Sequence, residues 1–185
     1  MKIVLFGDSI FAGYNQIHDT DAVTKRLQVA FPQAEFLNLS KSGATTAEGR
    51  DYLEQIPRDA ELVLLEYGTN DAALGWGLSP AAYQHNLEAM IAFIGPKRVL
   101  VLGPNYPSPK NTSINASYPP KRLTQFNEIA RTAAKNTRGF IDLIAAFKAA
   151  DLTNVYRTDG QHLTEHGNTL LVNSLLAPLH QTLAH

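Results

Sequence analysis

The chain has 185 residues, 44% hydrophobic and 18% charged, which is the composition of a globular domain and excludes a disordered chain. Lys and Arg number 16 against 17 Asp and Glu, so no basic field draws it to nucleic acid or to an anionic membrane. The absence of cysteine excludes disulfides and Cys-ligated metals.

The chain opens with Met1-Lys2-Ile3-Val4-Leu5-Phe6 and turns polar at Gly7-Asp8. That apolar run is too short for a signal-peptide core, and no run nears the roughly 20 residues of a membrane span. The sequence therefore reads as one soluble, cytoplasmic domain over residues 1–185. Short apolar runs then alternate with longer helical patterns, the signature of a parallel α/β sheet. Strands are predicted at residues 3–6, 35–39, 62–66, 98–102 and 140–143. Leu62-Val63-Leu64-Leu65 and Val99-Leu100-Val101-Leu102 lack any polar alternation, as strands buried on both faces should.

Helices fall between the strands. Residues 21–31 place Val23, Leu27 and Ala30 at helical spacing. Ser79-Pro80 is a cap and first-turn pair for a helix reaching about residue 94. Residues 121–136 carry Leu123, Phe126, Ala130 and Ala133 on one stripe, and a short helical piece follows the fifth strand. The last helix runs from residue 165 to about 183, with Pro178 expected to bend or shorten it. Residues 103–120, with five prolines and no period, read as a long loop after the fourth strand. That loop is either a substrate wall or a mobile surface insertion.

Four polar clusters lie beyond the strands: Gly7-Asp8-Ser9, Lys41-Ser42-Gly43-Ala44-Thr45, Gly68-Thr69-Asn70-Asp71 and Asp159-Gly160-Gln161-His162. Parallel strands share the direction of their carboxyl ends, so these loops converge. Each cluster alone is ordinary loop composition. Together they supply a nucleophile, a base, an orienting acid and neutral donors, the parts needed for acyl transfer. Asp159 and His162 are three residues apart, so one turn brings carboxylate to imidazole. His166 is the rival base, whereas His18, His85, His180 and His185 read as surface or packing residues. Candidate oxyanion donors are the Ser9 and Gly43 N–H groups and the Asn70 side-chain amide. Asp8 and Asp71 read as structural. The phosphate-cradling glycine motifs, H-E-x-x-H and G-x-S-x-G are all absent.

The four blocks, Gly7-Asp8-Ser9-Ile10, Ser42-Gly43-Ala44-Thr45-Thr46, Gly68-Thr69-Asn70-Asp71 and Asp159-Gly160-Gln161-His162, make the chain resemble the SGNH (GDSL-type) hydrolases. They run in that family's order, with Ile10 where Leu is commoner. The resemblance implies a flavodoxin-like three-layer α/β/α sandwich whose five-stranded parallel sheet has the order 2-1-3-4-5. It implies Ser9 as nucleophile, His162 as general base and acid, and Asp159 as its partner. Ser9, Gly43 and Asn70 would then form the oxyanion hole, and no metal or organic cofactor is required. The expected substrate is a small, short-acyl ester, including acetylated carbohydrates, with Trp76, Tyr106 and Tyr118 on the two loops that would select it. A thioesterase or lysophospholipase with the same triad is the alternative enzyme. A non-catalytic module binding a small molecule such as a flavin is the alternative of another class.

Overall fold

The computed structural model describes residues 1–184, leaving His185 outside the described residues. Five strands, β1 (Lys2–Gly7), β2 (Glu35–Asn38), β3 (Leu62–Glu66), β4 (Val99–Leu102) and β5 (Gly139–Ile141), form one sheet in the order β2-β1-β3-β4-β5. Every pairing is parallel, with Leu5 opposite Leu64 and Leu64 opposite Leu100 at the centre. Such pairing needs a crossover between neighbours, and the helices supply it. They are α1 (Ala22–Ala30), α2 (Thr46–Asp51), α3 (Pro80–Ile94), α4 (Thr112–Ser117), α5 (Pro120–Ala133), α6 (Leu143–Lys148) and α7 (Glu165–Leu183). The fold is the three-layer α/β/α sandwich, in the predicted strand order.

Both faces of the sheet are dry, which explains the unbroken apolar runs. Side chains alternate along a strand, so β1 sends Val4 and Phe6 to one side and Ile3 and Leu5 to the other. On the first side α3 and α5 bring Tyr83, Leu87, Met90 and Phe126 against Val63, Leu65, Val99 and Val101. On the second, α1, α6 and α7 bring Leu27, Phe147, Leu171 and Leu175 against Leu62, Leu64, Leu100 and Leu102.

Ser79 caps α3 as its sequence predicts, accepting the Ala82 N–H at 3.1 Å, with Pro80 in the first turn. The last helix has the predicted extent and continues through Pro178 to Leu183. Two expectations need correction. The fifth strand ends at Ile141 rather than residue 143, because the Asp142 side chain accepts the Ala145 N–H at 2.8 Å and starts α6. Residues 103–120 are neither unstructured nor a loose insertion. They contain α4, capped by Asn111 through the Ile114 N–H at 3.1 Å, and their first residues, 103–105, are buried. The short α2 also lay unmarked in the sequence, since six polar-rich residues show no helical stripe.

The connection into α7 sets the last polar cluster. Residues Tyr156 and Leu163 form an isolated antiparallel bridge, so residues 157–162 bulge out as a closed loop. The amino end of α7 is seated on this bridge. Thr164 caps the helix through the Gly167 N–H at 3.1 Å, and a Cβ at Gly167 would lie 2.2 Å from the Val155 carbonyl oxygen. Gly167→Ala must therefore push the helix off the bridge, and should destabilise the protein by about 1–3 kcal/mol. A lowered urea midpoint would show it; an unchanged midpoint would mean that the seat yields freely.

Candidate active site

The sheet order reverses direction between β1 and β3, and ligands of open α/β sheets bind beyond the carboxyl ends of the strands at such a reversal. Ser9 stands two residues past β1, in a succession of turns and not at a helix start. The Asp8 carbonyl accepts the Ala12 N–H and the Ser9 carbonyl the Tyr14 N–H, both at 3.0 Å. The Asp8 carboxylate fastens the turn from inside, its Oδ1 accepting the Ile10 N–H at 2.8 Å. Ser9 is only 3% exposed.

His162 comes to Ser9 from 153 residues away, with Nε2 3.0 Å from Ser9 Oγ. Its Nδ1 lies 2.7 Å from Asp159 Oδ2. An ionised carboxylate only accepts, so Nδ1 carries the proton and Nε2 presents its lone pair to the serine hydroxyl. Asp159 Oδ1 accepts the N–H groups of Gln161 at 2.9 Å and His162 at 3.0 Å, which fixes the carboxylate relative to the ring. Burial works against the Asp159 charge, but these bonds and the imidazole outweigh it and hold its carboxyl below the usual carboxylate range. Gly160, at φ +76°, makes the left-handed step that closes this loop. The edge of Tyr14 packs on the imidazole with ring centres 4.8 Å apart. His166 is exposed in the first turn of α7, and His180 packs on the Phe31 ring at 4.7 Å.

Asn70 joins the other two blocks. Its Nδ2 donates to the Ala44 carbonyl at 3.0 Å and lies 3.4 Å from Asp8 Oδ2. It therefore bridges the residue after Gly43 and the residue before Ser9. Gly43 adopts φ +79° with open space where a Cβ would stand, so backbone conformation and not crowding calls for glycine there. Neither the Ser9 nor the Gly43 N–H donates to another protein group among the described residues. Asp71 ties the asparagine block to α2, its Oδ1 accepting the Thr46 N–H at 3.0 Å and the Thr46 hydroxyl.

Below these groups three carboxyls are buried together: Asp8, Asp71 and Glu66, the last residue of β3. Burial pushes Asp8 up to about 7, against the opposing effect of its bonds with the Ile10 N–H and the Glu66 carboxyl. Burial likewise raises Asp71 to about 6, with the Thr46 bonds acting in the opposite direction. Glu66 is driven well above the carboxylate range, first by burial and then by the Asp8 charge.

The two loops expected to select substrate are braced to the frame and to each other. The Asn105 N–H donates to Thr69 Oγ1 at 2.8 Å, the Ser108 N–H to the Gly160 carbonyl at 2.7 Å, and Asn111 Nδ2 to the Asp159 carbonyl at 3.2 Å. Arg122 grips residues 72–78 at both ends, Nε donating to the Ala72 carbonyl at 2.8 Å and a terminal nitrogen to the Leu78 carbonyl at 2.6 Å. The Leu74 N–H donates to the Ser117 carbonyl at 2.9 Å. Trp76 and Leu74 stay exposed at this rim, as does Ile17 on the serine side.

Tyr14, Glu66, Asn105 and Arg122 did not stand out in the sequence. Only Glu66 carried a signal, as a carboxylate closing an otherwise apolar buried strand.

Among solved structures, a lipase/acylhydrolase from Enterococcus faecalis is 28% identical, with a TM-score of 0.87 over 97% of this chain and 95% of that one. TesA is 25% identical, with a TM-score of 0.77 over 98% and 99% of the two chains. The acetyl xylan esterase AlAXEase shares the fold at 22% identity, with a TM-score of 0.77 over 96% and 98%. No curated protein sequence matches significantly. Residues 5–170, which hold all four polar blocks, match the GDSL-like lipase/acylhydrolase family. The chain belongs to that family of serine ester hydrolases.

Proposed function

We propose that the protein hydrolyses small, short-acyl esters through an acyl-enzyme on Ser9. The observation that carries this reading is the relay in which His162 stands 3.0 Å from Ser9 Oγ and 2.7 Å from Asp159 Oδ2. His162 Nε2 takes the Ser9 proton as Oγ attacks the ester carbonyl, and Asp159 stabilises the imidazolium that results. The developing oxyanion is met by the free N–H groups of Ser9 and Gly43. Asn70 adds the amide hydrogen held only by the long 3.4 Å contact to Asp8. Collapse of the tetrahedral species expels the alcohol, which takes the proton from Nε2. Water then gives a proton to Nε2, attacks the acyl carbon and releases the acid, restoring Ser9.

Two polar hollows flank the site without including Ser9 or His162, and they support a polar, compact ester. A cavity of about 530 Å³ borders the Asp159 loop and is lined by Ser108, Lys110, Asn111, Thr112, Arg157 and Gly160. Another of about 600 Å³, lined by Ala12, His18, Asp19, Thr20, Asn38 and Ser40, borders the serine turn. Hydroxyl, amide and charged groups of this kind suit a carbohydrate-like alcohol carrying an acetyl group better than a long acyl chain. No helix among the described residues is long and apolar enough to cross a membrane.

Ser9→Ala should abolish both ester hydrolysis and labelling by a fluorophosphonate while leaving the melting temperature in place; labelling retained in that variant would sink the assignment. Asp159→Asn should lower kcat about 10⁴-fold, because the ring loses the acceptor that fixes its tautomer. His162→Ala should be equally inactive and His166→Ala should keep its rate, the reverse pattern identifying the other histidine as base. Across p-nitrophenyl esters, kcat/KM should fall as the acyl chain grows beyond butyrate. A rise toward long chains, or faster turnover of an acyl-CoA, would instead favour the lysophospholipase/thioesterase reading.

A further inference from the structure

Glu66 takes no part in the relay, yet it occupies the floor of the site. It closes β3 directly opposite Gly7 of β1 and Leu102 of β4, and it is wholly buried. Its Oε2 accepts the Asp8 N–H at 3.2 Å, which sets its carboxyl beside that residue. The space it fills is reserved for it: a Cβ on Gly7 would stand 2.7 Å from Oε2. Its second oxygen, Oε1, is buried and meets no donor.

The groups facing this pair offer no positive charge. From the loop after β3 comes Asp71, and from the same loop Tyr67, whose hydroxyl pairs with that of Tyr52 at 2.8 Å. From α3 comes Tyr83, whose hydroxyl donates to the Tyr67 carbonyl at 3.1 Å. Burial holds the Tyr67 and Tyr83 hydroxyls far above their ordinary range, so both remain neutral donors. Lys41 sits over the Tyr52 ring, 3.7 Å from its centre. No Lys, Arg or His is buried among the described residues. Two adjacent carboxyls without a cation share a proton. Asp8 meets donors at both oxygens, the Ile10 N–H and the Asn70 amide, so it is the ionised partner. Glu66, with an oxygen that meets no donor, is the partner that keeps the proton.

We infer that Glu66 is a positioning residue that works as a neutral acid, its hydroxyl and its Oε2 together clamping Asp8 so that the Ser9 turn and the Asn70 amide stay aimed at the ester. The clamp acts through Asp8, which holds the turn by the Ile10 N–H and, until the oxyanion takes that hydrogen, the Asn70 amide by Oδ2. Neutrality matters as much as reach, since a second negative charge here would oppose the oxyanion forming above it. This inference rests on Ser9 being the nucleophile, and fluorophosphonate labelling of the wild type at Ser9 tests that separately.

Carbon-13 NMR of the glutamate side-chain carboxyls at pH 8 should show one resonance still at the neutral-acid position, absent from Glu66→Gln. Every resonance at the carboxylate position would overturn the inference whatever the activities. Glu66→Gln keeps a donor toward Asp8 and should retain kcat within about threefold, whereas Glu66→Ala should lose at least about tenfold in kcat with little change in KM. Labelling at Ser9 should slow in step with kcat. A Glu66→Ala enzyme with wild-type kcat and normal labelling would refute the clamp while leaving the nucleophile intact. A Glu66→Gln enzyme as impaired as Glu66→Ala would also refute it, because the clamp needs only a neutral donor at this position. Should Glu66→Ala not fold, the NMR resonance and the glutamine variant still decide the matter.

Discussion

Ser9 and His162 are 153 residues apart, and the 3.0 Å hydrogen bond between them depends on the parallel sheet. Only a sheet whose strands all end on one side can bring the loops after β1, β2 and β3 to the same edge as the loop before α7. The two dry faces hold that edge still, because Leu5, Leu64 and Leu100 on one side and Phe6, Leu65 and Val101 on the other leave the central strands no freedom to slip. The relay is thus a consequence of core packing at a distance. Its own bonds only set the last few tenths of an ångström.

A second constraint runs against the first. The strand ends that place Ser9 and Asn70 are deeply buried, yet the chain puts Asp8, Glu66 and Asp71 there. Burying three acids without a cation is costly, and the structure meets the cost with protons and with donated backbone and hydroxyl hydrogens. Asp71 is held by Thr46 and Asp8 by the Asn70 amide, so each links one polar block to its neighbour. A purely apolar floor would be easier to fold. It would leave the blocks attached to the sheet but not to one another.

Much of this was legible in the sequence, for physical reasons that differ by element. The central strands were plain because burial on both faces removes every polar residue, and Ser79-Pro80 marked the start of α3 because capping is local chemistry. The polar blocks could be grouped from their position after strands alone, whereas the strand order came only from resemblance to a family. The end of β5 was misplaced because Asp142 serves as a cap, a role visible only once the Ala145 N–H is in place. Residues 103–120 looked featureless because what holds them, Thr69, Gly160 and Asp159, is far away in the chain. Glu66 was read as the end of a strand, since a side chain's partners across a sheet leave no trace in its own neighbourhood.

Those distant attachments divide the segment after β4 into two mechanical parts. As far as Asn111 it is bound to the loop that carries Asp159 and His162, so a displacement there reaches the imidazole. From α4 onward it is bound to residues 72–78, and through Arg122 that rim is anchored to α5. The rim in turn is tied to the asparagine block, since the Ala73 and Leu78 N–H groups donate to the Asn70 and Asp71 carbonyls. Reshaping the rim to admit another ester therefore bears directly on Asn70, and a change of diet in this scaffold has to be reconciled with its chemistry.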